Sequence, residues 1–160
     1  MQTETIRLLL VEDMAPRHKF FVENTPKPFK IVWARSGGAA LNILAKDEPD
    51  TYAGLLLDFD LYEQGYVLAD RKTDGGKVAE VIAQRVFNDI PVLVHSMNPR
   101  GATRIVDTLS HAGFPVTRIP FAEMTAEKYA TWLGAIGAAC GALPVPSPRG
   151  GAAVDALPRA

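Results

Sequence analysis

Several short apolar runs of this chain end in residues able to do chemistry. The run "IRLLLV" is followed by Glu12 and Asp13, "AGLLLDF" carries Asp58 and then Asp60, "VLV" leads into His95 and Ser96, and "FPVTRI" carries Arg118. Carboxylates gathered in one place repel one another unless a cation is shared. An all-oxygen set suits Mg²⁺, which keeps several waters and often joins carboxylates to a phosphate. Ser96 offers a hydroxyl donor to a phosphate oxygen. Asn98 followed by Pro99 marks a helix start whose free amides form a ready anion site, and Arg100 and Arg104 can add charge there, one turn apart. His95 is either a general acid or base, its ordinary pKa lying near neutrality, or a structural histidine bonded to backbone.

These residues need a scaffold that brings strand ends together. Apolar runs at 6–11, 29–34, 53–59, 90–96 and 114–119 are too short for helices and rich in Val, Ile and Leu, so they read as strands. Between them, 16–22, 36–46, 74–86, 99–111 and 125–139 have helical spacing. Helix starts are marked by Ser36, Asp74, Asn98 and Thr125. This (βα)5 alternation predicts an α/β doubly wound parallel sheet with helices on both faces, because right-handed crossovers cover each strand on both sides. Ligands of such sheets bind at the carboxyl ends of the strands, which is where the polar residues collect.

The bulk properties narrow the classes. At 160 residues, one domain over 1–141 is expected, followed by a flexible Pro/Gly/Ala-rich tail over 142–160. A formal net charge of −1 gives no global field for long nucleic acid or an anionic membrane, so any anion site is local. The single Cys140 excludes an internal disulfide and reads as inert. The first apolar run is short and broken by Arg7, which is neither a signal peptide nor a span, so a soluble cytoplasmic protein with no membrane partner is expected. The long connection over 60–76 is expected to be functional or mobile. Blander readings attach elsewhere: Asp60 as a cap or loop former, Gly75 and Gly76 as a tight turn, Arg71, Lys72 and Lys77 as a solvated face, Trp33 and Trp132 as packing. His18 and His111 have no partner pattern.

The set Glu12, Asp13, Asp58 and Ser96 on a (βα)5 chain resembles the receiver domain of two-component response regulators over residues 6 to about 139. The resemblance implies a flavodoxin-like receiver fold with strand order 2-1-3-4-5. It implies Mg²⁺ held by Glu12, Asp13 and Asp58, a phosphoryl group accepted by Asp58, and Ser96 reporting its presence. "HSMNPRG", as His95, Ser96, Asn98, Pro99 and Gly101, is similar to a narrower group, the receiver-like domains that process cyclic phosphates. Two positions depart. Phe59 stands where that group has a histidine, and Ile119 precedes Pro120 where ordinary receivers have a lysine. Arg118 is one residue earlier, so it either reaches round the strand end to bind phosphate or faces away.

Three functions follow from the resemblance. The first is a phosphorelay receiver that takes a phosphoryl group on Asp58 from a histidine kinase or phosphotransfer protein and is read by a downstream partner. The second is metal-dependent processing or sensing of cyclic phosphate ends of RNA or nucleotides, with His95 as acid/base and Ser96, Asn98, Arg100 and Arg118 around the phosphate. The third is a degenerate receiver kept for protein binding. Self-association into a homodimer is open to all three.

Overall fold

Leu8, Leu9, Leu10 and Val11 are all fully buried, so the strand that carries them is covered on both faces. That strand, β1 (Ile6–Val11), lies inside a five-stranded parallel sheet with β2 (Phe29–Ala34), β3 (Gly54–Leu57), β4 (Val92–Val94) and β5 (Val116–Arg118), in the order β2-β1-β3-β4-β5. This computed structural model describes residues 4–62 and 72–141. The tail over 142–160, Arg71 and part of the 60–76 connection lie outside the described residues.

Alternation of side chains along the strands builds two apolar layers. Leu8, Leu10, Leu56 and Leu93 face α1 (Ala15–Glu23) and α5 (Ala126–Ala139), which contribute Phe21, Tyr129, Trp132, Leu133 and Ile136. Leu9, Val11, Leu55, Leu57, Val92 and Val94 face α2 (Gly37–Lys46), α3 (Gly75–Arg85) and α4 (Pro99–His111). In α4 the spacing of Ala102, Ile105 and Leu109 makes the inner stripe, with Thr103, Arg104 and Asp107 outside. A short 3-10 turn, Phe121–Glu123, links β5 to α5. No helix among the described residues is long and apolar enough to cross a membrane.

The expected helix starts are seen as side-chain caps. Ser36 accepts from the Ala39 amide, Asp74 from Lys77, Asn98 from Gly101 and Thr125 from Lys128, each satisfying an amide that the helix leaves free. Helix α1 differs: it starts at Ala15 behind Met14, with no side-chain cap and no acidic residue in its first turn. The strands over 53–59, 90–96 and 114–119 are shorter than expected. The strands end at Leu57, Val94 and Arg118, with one further backbone bond to the neighbouring strand beyond each.

Candidate metal centre

Sheet register places the site. Val11 lies beside Leu57 and Leu57 beside Val94, so the next residues, Glu12, Asp58 and His95, form a row across the carboxyl edge. Backbone bonds carry the row one step past the strands: Asp58 N–H donates to Val11 O at 3.0 Å and His95 N–H to Leu57 O at 3.0 Å. Each of Glu12, Asp13 and Asp58 offers a carboxylate oxygen, and these oxygens lie within 4.8 Å of one another. All three residues are buried. A cavity of about 230 Å³ opens on Asp13 and Asp58, lined also by Met14, Arg17, Asp60, Tyr62 and Met97.

Burial sets the electrostatics. Removal from water, partly offset by the Met14 amide and the Arg17 charge, pushes Glu12 up to about 7. Burial first and the Glu12 charge second raise Asp58 to about 6. His95 is fully buried, and burial lowers it to about 4, so near neutral pH the imidazole is uncharged. Its Nε2 is 2.7 Å from Glu12 Oε2, and whichever of the two groups carries the proton between them donates it to the other. Among the described residues its Nδ1 has no hydrogen-bond partner. Glu12 Oε1 accepts from the Met14 amide at 3.0 Å, and the Trp33 indole N–H donates to the Glu12 carbonyl at 2.7 Å, so the acidic turn is held from several sides. Three hard oxygen donors within 4.8 Å of one another fit a hard divalent cation such as Mg²⁺, and among the described residues no nitrogen or sulfur ligand joins the set to bias it toward zinc or copper.

The sequence reading missed Arg17. From the first turn of α1 its Nη1 lies 3.4 Å from Asp58 Oδ2 and 3.8 Å from Glu12 Oε2, and its guanidinium sits 5.1 Å from the Phe121 ring centroid. A local signal existed. A cation in the first turn opposes the helix dipole, and a residue that works against its own helix is held by something outside it. His18, which shows no partner pattern in sequence, stacks on Trp33 with ring centroids 3.6 Å apart, and Arg35 lies 4.3 Å from the Trp33 ring centroid.

Other expected residues divide. Ser96 is fully buried beside the row; its Oγ accepts the Asn98 amide at 3.1 Å, and among the described residues its hydroxyl makes no other hydrogen bond, which leaves its proton to donate. Of the amides after Asn98, Pro99 has none and that of Gly101 is taken at 3.0 Å by the Asn98 side chain, whose Nδ2 lies 3.4 Å from Asp60. Arg100 is exposed. Arg104 turns to α3, where it pairs with Asp74 at 3.7 Å and Glu80 at 3.1 Å, rather than to the site. Arg118 is paired in register with Val94, one row below Asp58, and is exposed on the opposite face; Ile119 holds the site row and packs against the α1/α5 layer. Phe59 sits against Gly101, where an added Cβ would run into its ring, so this departure fills space under α4.

Comparison with known proteins agrees with this fold. The structure resembles a response regulator receiver protein from Pseudoalteromonas atlantica, with 14% identity and a TM-score of 0.61 over 84% of this chain and 98% of that one. It also resembles the receiver domain of a sensor histidine kinase from Pseudomonas aeruginosa, described with a magnesium ion coordinated in its active-site cleft, at 18% identity and a TM-score of 0.60 over 83% and 98% of the two chains. A non-phosphorylated receiver domain from Leptospira biflexa matches at 20% identity and a TM-score of 0.60 over 82% and 94%. These likenesses show the fold. Among curated protein sequences none matches significantly. The model of the cyclic-phosphate processing receiver domain matches residues 7–111, more than half of the chain. This chain therefore belongs to the family of cyclic-phosphate processing receiver domains.

Proposed function

We propose that this receiver domain binds Mg²⁺ at Asp13, Asp58 and Glu12 and accepts a phosphoryl group on Asp58. The observation that carries the reading is the buried carboxylate cluster, with oxygens within 4.8 Å of one another. Burial on that scale disfavours three negative charges unless a cation joins them. Bound Mg²⁺ supplies that charge and neutralises phosphoryl oxygens. Glu12 already gives one oxygen to the Met14 amide and the other to His95, so it shapes the cation's surroundings while Asp13 and Asp58 meet it more directly. His95 orients Glu12 and acts through it.

Asp58 Oδ1 accepts the Phe59 amide at 2.8 Å, which leaves Oδ2 for the new bond to phosphorus. That bond forms as the P–N bond of a phosphohistidine donor, or the P–O bond of acetyl phosphate, breaks, and the leaving group takes a proton from water or departs as acetate. Ser96, with its hydroxyl proton unspent, donates to a phosphoryl oxygen and reports the change to the turn at Met97 and Asn98. The donor is a histidine kinase or phosphotransfer protein in the cytoplasm, and a partner protein reads the product. Incubation with acetyl phosphate and Mg²⁺ should add one phosphoryl mass to the wild type and none to Asp58→Asn. An unchanged mass together with no binding of beryllofluoride sinks the phosphoacceptor reading.

Family membership favours a second reading, metal-dependent handling of a cyclic phosphate end beside Asp58. A 2′,3′-cyclic nucleotide incubated with Mg²⁺ or Mn²⁺ separates the two: ring opening without a covalent protein adduct supports the second and not the first.

A further inference from the structure

We propose that Arg17 is the phosphoryl-binding cation of this site, an internal counter-ion that serves the carboxylates in the free protein and turns to the phosphoryl group when one arrives. This rests on the phosphate-handling reading above. Among the described residues Arg17 is the one cation lining the cavity over Asp58. Arg118 lies exposed on the other face of the sheet, and Arg104 and Lys77 are paired on the α3 side.

Arg17 is built for such a change of partner. Its side chain is 17% exposed, so it reaches both the cavity and solvent. Among the described residues it makes one side-chain hydrogen bond, at 3.4 Å to Asp58 Oδ2, a long one, with its Glu12 contact longer still at 3.8 Å. A guanidinium carries five N–H donors in a fork that matches phosphate geometry, so most of its donors are uncommitted. Phe121 lies 5.1 Å below the guanidinium, a platform that fixes its head while leaving the N–H edges free.

The carboxylates also explain why Arg17 would move. They are what offsets the unfavourable placement of a cation in the first turn of α1. A divalent cation competes with Arg17 for the same charge, so its arrival loosens the guanidinium just where phosphoryl oxygens need a donor. Arg17 therefore opposes metal binding alone and favours binding of metal and phosphoryl group together.

Opposite signs make the test decisive. Mg²⁺ affinity is measured by titration calorimetry, and beryllofluoride affinity is measured at saturating Mg²⁺, on wild type, Arg17→Gln and Arg17→Lys. Arg17→Gln should bind Mg²⁺ alone several-fold more tightly and beryllofluoride at least about tenfold more weakly, the loss expected for a charge-assisted contact. Arg17→Lys, which keeps the charge without the fork, should restore the weaker Mg²⁺ affinity and recover only part of the beryllofluoride affinity. Phe121→Leu should weaken beryllofluoride while leaving Mg²⁺ unchanged. Wild type that binds both ligands, with Arg17→Gln unchanged in both or weakened in both, overturns the role of Arg17 and leaves the site reading intact. Wild type that binds neither removes the site reading and the role of Arg17 with it.

Discussion

Gly75→Ala should destabilise the protein by about 3 kcal/mol or more, among the larger effects open to a single methyl group. A Cβ at Gly75 would meet the Asp58 carbonyl oxygen, with Phe59 Cα at 2.7 Å and Asp58 carbonyl carbon at 2.9 Å. Every one of these atoms is backbone, so no side chain can rotate away. The Gly75 amide also donates to the Phe59 carbonyl at 2.8 Å, which ties the start of α3 directly to the segment after β3. Relief requires moving either the helix or the strand end that carries Asp58. The melting temperature should fall by roughly 6–12 °C, at about 2–4 °C per kcal/mol for a chain of this size. Any folded fraction should bind Mg²⁺ more weakly. Gly134→Ala is the control: nothing lies within 4 Å of its Cβ position inside α5, and helix propensity predicts stabilisation of about 0.5–1 kcal/mol. Equal melting temperatures for Gly75→Ala and Gly134→Ala would mean that the close approach of α3 to β3 is not structurally required.

Much of the scaffold was legible because its signals are local. "LLLV" can satisfy burial only between two layers, and Ser36, Asp74, Asn98 and Thr125 each cap the helix that follows. Gathering the acidic residues needed one further step, since strands of a parallel sheet end at one edge. Glu12 and Asp58 become neighbours because each follows a registered pair, Val11 and Leu57.

What the sequence left hidden depends on direction and on distant partners. Arg17 and Asp58 are far apart in sequence, and only the docking of α1 on the sheet brings them together. Arg104 looked one turn away from Arg100 and so available to the site. Acids on α3, Asp74 and Glu80, draw it off, and no pattern within α4 contains them. Arg118 turns on parity: pairing with Val94 puts it on the face opposite Glu12, and a shift of one residue would reverse this. Asn98 shows that one motif can have two readings. The residue expected to expose amides to an anion spends its own oxygen on the Gly101 amide.

The pH dependence of stability should run opposite to that of most proteins whose carboxylates are salt-bridged, and Mg²⁺ should reverse it. Glu12, raised to about 7, and Asp58, raised to about 6, hold protons more tightly in the folded chain than in the unfolded one. Their contribution is fully present below the ordinary carboxylate range and is lost as pH rises through 6 and 7. His95, lowered to about 4, acts in the other direction: its contribution is present above its ordinary value and is lost as pH falls through about 4. Two raised carboxylates outweigh one lowered imidazole, so the metal-free protein should lose on the order of 2 kcal/mol between about pH 5 and about pH 8. Saturation at about 100 times the dissociation constant adds about 2.7 kcal/mol. That gain should be nearly full at about pH 8, where the carboxylates are ionised, and small at about pH 5, where protons compete for the same oxygens. Melting curves across this range, with and without Mg²⁺, check both halves, and Asp58→Asn should flatten the metal-free slope while removing most of the Mg²⁺ increment. Equal Mg²⁺ increments at both ends of the range would place the cation elsewhere, because only ligands that titrate between them can make its binding depend on pH in this way.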